Sequence, residues 1–305
     1  MSAVLPGLKL SYDWRARREW AQSIQDFEQV FDQLRRMGVG HAEFSLWNRR
    51  TAAILSPGDE AEQVMREAAC LIERGATVYL HPYVHQDERG PGHFGGPNHD
   101  RVVHHLNLAI ETGARIAEVQ GSPCLLVFHA ADQLADDSDR MHGSEYRQTL
   151  IRNTRAFFQH AEARVRLSGA YVDAVCENPP PNPQRVRIGE YPDELLQVVA
   201  GTSVGLCWDF GHYWMCAARY GYPNLPGPEF NRLVRHAHLH SVSDDGRDHR
   251  IPSLDDDYLQ RCLSSLAAWQ RDIVVTLEYD YTGQGSTGSA IDAVRRGVDV
   301  VAAAT

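Results

Sequence analysis

Val234-Arg235-His236-Ala237-His238-Leu239-His240-Ser241-Val242 reads as a β-strand. Alternate side chains of a strand share a face, so His236, His238 and His240 are expected to point together. Each imidazole carries two polar nitrogens that need partners once buried, which makes three of them expensive core filler. Neutral imidazole is also a common ligand for Zn, Mn, Fe and Co. The competing reading is a half-exposed strand with its histidines in water. The rest of the chain decides between the two.

Working outward from that stretch, short apolar runs alternate with longer amphipathic ones. Residues 8–12, 42–46, 77–84, 124–130, 171–177 and 204–210 read as strands before it, and 273–279 as one after it. Between them a helical period runs through Trp20, Ile24, Phe27, Val30, Phe31 and Leu34, and others are expected over 57–74, 100–121, 145–167, 194–199, 255–269 and 290–303. The Gly-, Pro- and His-rich segment 86–100 reads as a mobile lid, and 213–222 as an aromatic loop. Eight strands alternating with helices within 305 residues point to an α/β chain folded as a single (β/α)8 TIM barrel spanning 1–305, with a doubly wound open sheet as the rival. No internal repeat or linker divides it.

Composition narrows the function. The chain is 43% hydrophobic and 23% charged, ordinary for a water-soluble protein. No apolar run reaches the roughly 18–20 residues that span a bilayer, and the start MSAVLPGLKL lacks the pattern of a secretory signal. Six cysteines without a CxxC pair read as reduced, buried thiols, so a cytoplasmic location is expected. A net charge of −10 argues against affinity built on phosphate neutralisation, although Arg15, Arg17 and Arg18 form a local basic cluster. Lys9 is the sole lysine and so the one candidate for Schiff-base or P-loop chemistry, and neither is expected.

In a barrel, active sites lie at the C-terminal ends of the strands. Those ends read Leu80-His81-Pro82, Phe128-His129, Cys176-Glu177-Asn178, Trp208-Asp209-Phe210-Gly211-His212, the histidine strand, and Leu277-Glu278. Each polar residue follows an apolar run, at the point where a strand leaves the core. Carboxylates sharing one mouth need a cation.

In these motifs the sequence resembles the xylose-isomerase-like TIM-barrel superfamily, which holds sugar isomerases and epimerases together with endonuclease IV-type enzymes. The resemblance runs from the first strand to Glu278, carried by the DxGH run of Asp209, Gly211 and His212, by HxHLH, and by the last-strand glutamate. It implies a divalent metal (Mn, Mg, Co or Zn) held by Glu177, Asp209, His238 and Glu278, with His238 as the ligand in preference to its neighbours His236 and His240. It implies that Glu177 and Glu278 are the catalytic proton-transfer pair, and that His81, His129, His212, His240, Arg247 and His249 contact substrate or a second metal.

Two departures bear on the reaction. The nuclease branch carries a DRH pair followed by a Gly-rich stretch, where this chain has Arg247-Asp248-His249-Arg250 and then Ile251-Pro252-Ser253-Leu254. The ketose 3-epimerases carry an arginine six residues after the metal histidine, where this chain has Asp244 and a nearby Arg247. The expected activity is therefore a metal-dependent isomerase or epimerase acting on a small polyhydroxy ketone through an enediolate. A lyase or dehydratase on a related ketone, or an endonuclease IV-like phosphodiester hydrolase, is the alternative. Nucleic acid and membrane partners are not expected, and a homo-oligomer is compatible with the sequence. Trp14, Trp47, Tyr213, Trp214 and Tyr222 suggest an apolar pocket wall, with core or subunit contacts as the alternative.

Overall fold

The computed structural model describes residues 8–13, 24–47, 56–87, 90–96, 98–134, 144–268, 272–278 and 287–304. Trp14 and the cluster Arg15, Arg17 and Arg18 lie outside them. Eight parallel strands carry the fold: β1 (Leu8–Asp13), β2 (Val39–Leu46), β3 (Thr77–Pro82), β4 (Cys124–His129), β5 (Val172–Glu177), β6 (Gly205–Asp209), β7 (Val234–Leu239) and β8 (Ile273–Leu277). They hydrogen-bond in the order β1-β8-β7-β6-β5-β4-β3-β2 as a closed barrel, the (β/α)8 architecture that the alternation predicts.

The helices are α1 (Ile24–Arg36), α2 (Pro57–Glu73), α3 (His99–Gln120), α4 (Ser144–Ser168), α5 (Pro192–Val199), α6 (Phe210–Tyr220), α7 (Pro228–Leu233), α8 (Asp257–Ala267) and α9 (Thr287–Ala303). Their ends follow local chemistry. Helix α3 stops at Gly121, whose left-handed φ of 67° lets its N–H turn back onto Ala117. Helix α8 starts at Asp256, whose carboxylate accepts the Leu259 N–H. No helix among the described residues is long and apolar enough to cross a membrane.

The chain parts into two compact units, residues 1–44, 70–78 and 208–305 in the first and 45–69 and 79–207 in the second. Strands β2, β3 and β6 each pass from one into the other. In the first unit β1 pairs with both β2 and β8, and β7 pairs with β8 so that His238 lies level with Thr276. In the second, β4 pairs with β5 so that His129 lies level with Glu177. Val127, Val175 and Cys207 form an apolar cluster there, flanked by Leu125. At about 25 cal/mol per Å² of apolar surface, such fully buried side chains dominate the stabilisation of the sheet.

Two readings are corrected. Residues 213–222 are not a loop: most of them belong to α6. Asp209 caps its N-terminus by accepting the His212 N–H, and Phe210, Tyr213, Cys216 and Ala217 form its buried face. Segment 86–100 carries a ribbon, Gln86–Asp87 against Gly90–Pro91, and buries His93 against Asn153 before α3 begins at His99. A second ribbon, Asp132–Leu134 with Arg185–Arg187, links the segments following β4 and β5. Its strands are 53 residues apart at the Arg185–Asp132 contact, beyond the reach of local periodicity.

Candidate metal centre

In the first unit the histidine strand does what alternation requires. His236, His238 and His240 are all fully buried. His238 lies between carboxylates on both ring nitrogens. Its Nε2 is 3.1 Å from Glu43 Oε1, and its Nδ1 is 2.8 Å from Glu278 Oε2 and 3.8 Å from Asp209 Oδ2. Glu43 comes from β2, Asp209 from the end of β6, and Glu278 immediately follows β8, held by its N–H on the Leu239 carbonyl. A neutral imidazole donates from one nitrogen, so the other side needs a second proton or a cation. Two carboxylate oxygens converging on an imidazole nitrogen are a donor set that suits Zn or Mn. The residues present therefore fit the divalent metal that the sequence implies.

Asp209 is fixed from several directions. Its Oδ1 accepts the His212 N–H at 2.7 Å, His212 Nδ1 lies 3.3 Å from Oδ2, and His240 Nε2 lies 3.0 Å from Oδ1. The His249 N–H points at His240 Nδ1 at 2.9 Å, which needs the lone pair there and leaves Nε2 to donate to Asp209. The Ser241 carbonyl lies 3.1 Å from the same Nδ1 and would favour the opposite tautomer. The shorter N–H contact decides it. Gly211 makes room for this ring: a Cβ there would sit 2.1 Å from His240 Cε1.

His212, His240 and His249 form a group with metal-ligand spacing. His249 adopts a left-handed φ of 51°, uncommon for a residue with a side chain, and its Nδ1 lies 3.2 Å from the Glu278 carbonyl. Burial opposes ionisation of Asp248, yet His249, His212 and His240 around it hold its carboxyl below the usual range. Arg247 stands apart on an exposed turn, where Asp245 binds its guanidinium at 2.7 Å.

In the second unit Glu177 Oε2 is 3.0 Å from both His81 Nε2 and His129 Nε2, and all three residues are buried. Tyr83 lies against both imidazoles, stacked on His81 at 4.6 Å and edge-on to His129 at 5.1 Å. Nearby in sequence, burial pushes His85 down to about 3, against the Gly92 carbonyl that favours its protonated form. The aromatic residues take other places. Trp47 stacks on His105 in the core of this unit. In the first unit Tyr213 is buried beside Trp208, and Trp214 lines a cavity of about 120 Å³ with His240 and Tyr258.

Glu43 is the site residue that sequence reasoning missed. Its signal was a glutamate between Ala42 and Phe44, inside a run otherwise read as an apolar strand.

A model of the xylose isomerase-like TIM barrel family matches residues 31–303. Solved structures of similar fold include the IolI protein with a binding zinc atom, 15% identical with a TM-score of 0.63, covering 96% of this chain and 98% of that one. Another is 3-keto-D-glucoside 4-epimerase YcjR from E. coli, 12% identical with a TM-score of 0.61, covering 94% and 97%. Endonuclease IV from Thermus thermophilus is 18% identical with a TM-score of 0.54, covering 95% and 98%. No curated protein matches by sequence.

Proposed function

From its membership of the xylose isomerase-like TIM barrel family, we propose that this chain is a divalent-metal-dependent isomerase or epimerase of a small polyhydroxy ketone, acting through an enediolate. The observation that carries the reading is the convergence of Glu278 and Asp209 on one nitrogen of the buried His238. Asp209, His238 and Glu278 would hold the cation. Glu177 is assigned to the same set from the resemblance, which implies a glutamate from the fifth strand among the ligands. In a (β/α)8 barrel the C-terminal strand ends share one face.

When bound, a divalent cation would polarise a carbonyl oxygen and acidify the neighbouring C–H. Glu278 and Glu177 are the proton-transfer pair: one carboxylate takes the proton from carbon and the other returns it. His81 and His129 both lie 3.0 Å from Glu177 Oε2 and hold its carboxylate in place. His212 and His249 supply imidazole nitrogens for substrate hydroxyls. A dehydratase of a related keto-sugar would use the same residues up to loss of the leaving hydroxyl.

Purified protein loaded in turn with Mn, Mg, Co and Zn, and offered a panel of keto-sugars in deuterated water, tests the reading. Reprotonation by an exchangeable carboxyl places deuterium on the carbon beside the carbonyl. Full turnover without label would remove both glutamates from the proton-transfer role. A second reading, phosphodiester hydrolysis with two or three metals, draws on the His81–His129–Glu177 and His212–His240–His249 groups. It requires metal-dependent, salt-sensitive nicking of an abasic duplex. The expected result is none, because the net charge is −10.

A further inference from the structure

We propose that Glu43 is a positioning residue that decides which nitrogen of His238 faces the metal. The inference rests on the reading of His238 as a ligand. Glu43 is 1% exposed, a carboxylate inside the barrel sheet, where an ionised group persists only if donors surround it. Three donors do. His236 Nε2 lies 2.7 Å from Glu43 Oε2, the Thr276 hydroxyl donates to the same oxygen at 3.0 Å, and His238 Nε2 lies 3.1 Å from Oε1. Thr276 Oγ1 is also 3.0 Å from His236 Nε2, so the three form a closed set around one carboxylate.

Proton accounting gives the consequence. An ionised carboxylate accepts and never donates, so each histidine facing Glu43 must bring a proton on Nε2. A neutral His238 with its proton on Nε2 has a bare lone pair on Nδ1, the nitrogen facing Glu278 and Asp209. Without Glu43 the proton is drawn to the opposite side. There Nδ1–H would donate to Glu278 at 2.8 Å and occupy the position a cation needs. Glu43 thus makes Nδ1 the ligand atom and raises its basicity, the known effect of a carboxylate behind a metal-binding histidine. His236 and Thr276 act one step further back, by holding Glu43 in place.

Two measurements on the full chain test this separately from the metal reading. ¹⁵N-resolved NMR of the histidine rings in the metal-free protein should show His238 protonated at Nε2. In Glu43→Ala that proton should move to Nδ1 or exchange between the two. Titration with Zn²⁺ should give a Kd weakened roughly 10–100-fold in Glu43→Ala and less in Glu43→Gln, which keeps an acceptor oxygen.

A wild-type His238 carrying its proton on Nδ1 alone overturns the proposal, and so does a Glu43→Ala Kd within twofold of wild type. A wild-type protein that binds no Zn²⁺ or Mn²⁺ sinks the metal reading instead, while the NMR result still judges the Glu43–His238 bond. If Glu43→Ala does not fold, Glu43→Gln and the wild-type spectrum carry the decision. A purely structural role would lower the urea midpoint of the metal-free protein and leave tautomer and Kd unmoved.

Discussion

The two compact units each bury a cluster of histidines and carboxylates, and the charge balance of the two differs. In the second unit one carboxylate, Glu177, faces two imidazoles, His81 and His129. Each ring can donate an Nε2–H to that oxygen as a neutral imidazole, so the two histidines can hold the carboxylate in place without being ligands themselves. In the first unit Glu43, Asp209 and Glu278 are gathered around His236, His238 and His240, and His238 has carboxylates on both sides. Protons alone satisfy that arrangement only by making His238 an imidazolium in a buried place. A divalent cation satisfies it at once. Histidine count therefore says less about a metal site than the number of acceptor atoms meeting at one point.

The largest effect should come from breaking the cluster rich in carboxylates. Asp209→Asn or His238→Ala is expected to abolish stoichiometric metal after dialysis and to remove the extra thermal stability that metal confers, about 1.4 kcal/mol per tenfold of affinity lost. Metal analysis paired with melting curves checks it, and full metal content in either variant refutes the ligand assignment.

Next in size is Gly211→Ala. The added methyl would overlap the His240 ring, so a destabilisation of about 1–3 kcal/mol is expected, with weaker metal binding because His240 holds Asp209. Urea titrations with and without Zn²⁺ separate the two effects. Unchanged values in both would show that His240 moves freely and does not position Asp209.

A pH experiment sharpens the other side of the comparison. His85, in the second unit, is held neutral in the folded chain down to about 3 against an ordinary 6.5. The unfolded chain takes up this proton first as pH falls. The contribution of His85 is thus complete above pH 6.5 and erodes from there towards pH 3, by about 2 kcal/mol at pH 5. Denaturation midpoints at pH 7.5 and 5.0 should differ less in His85→Leu than in wild type. An identical pH slope in the variant would place the acid sensitivity elsewhere.

The smallest effect is expected for His81→Gln and His129→Gln. If these two histidines only steady Glu177, one metal should remain per chain, with a Kd within about threefold of wild type, or about 0.7 kcal/mol. A wild-type stoichiometry of two that falls to one in these variants would instead make the second unit a metal site, and would favour the hydrolase reading.

The barrel was legible because its signals are local. β4, β5 and β6 each end in one polar residue after an apolar run, and each long helix has a period that a short window detects. Local signals also misled. Tyr213 and Tyr220 looked like loop aromatics, although the Asp209 cap and the buried face at Phe210, Tyr213, Cys216 and Ala217 belong to a helix. The ribbon pairing Asp132 with Arg187 had no local signal, because its bonds join segments that approach each other through the barrel.

By itself the sequence determined the eight-stranded fold, the family, and the residue types that end each strand, since all of these depend on spacing within a few residues. Tertiary structure alone decided what those residues face. Glu43 meets His238 from 195 positions away, Arg247 is spent on an exposed turn, and His240 turns to Asp209 through the gap left by Gly211. The chemistry of a buried carboxylate is set by the donors within about 3 Å of it, and in a closed sheet those donors come from strands that the sequence keeps far apart.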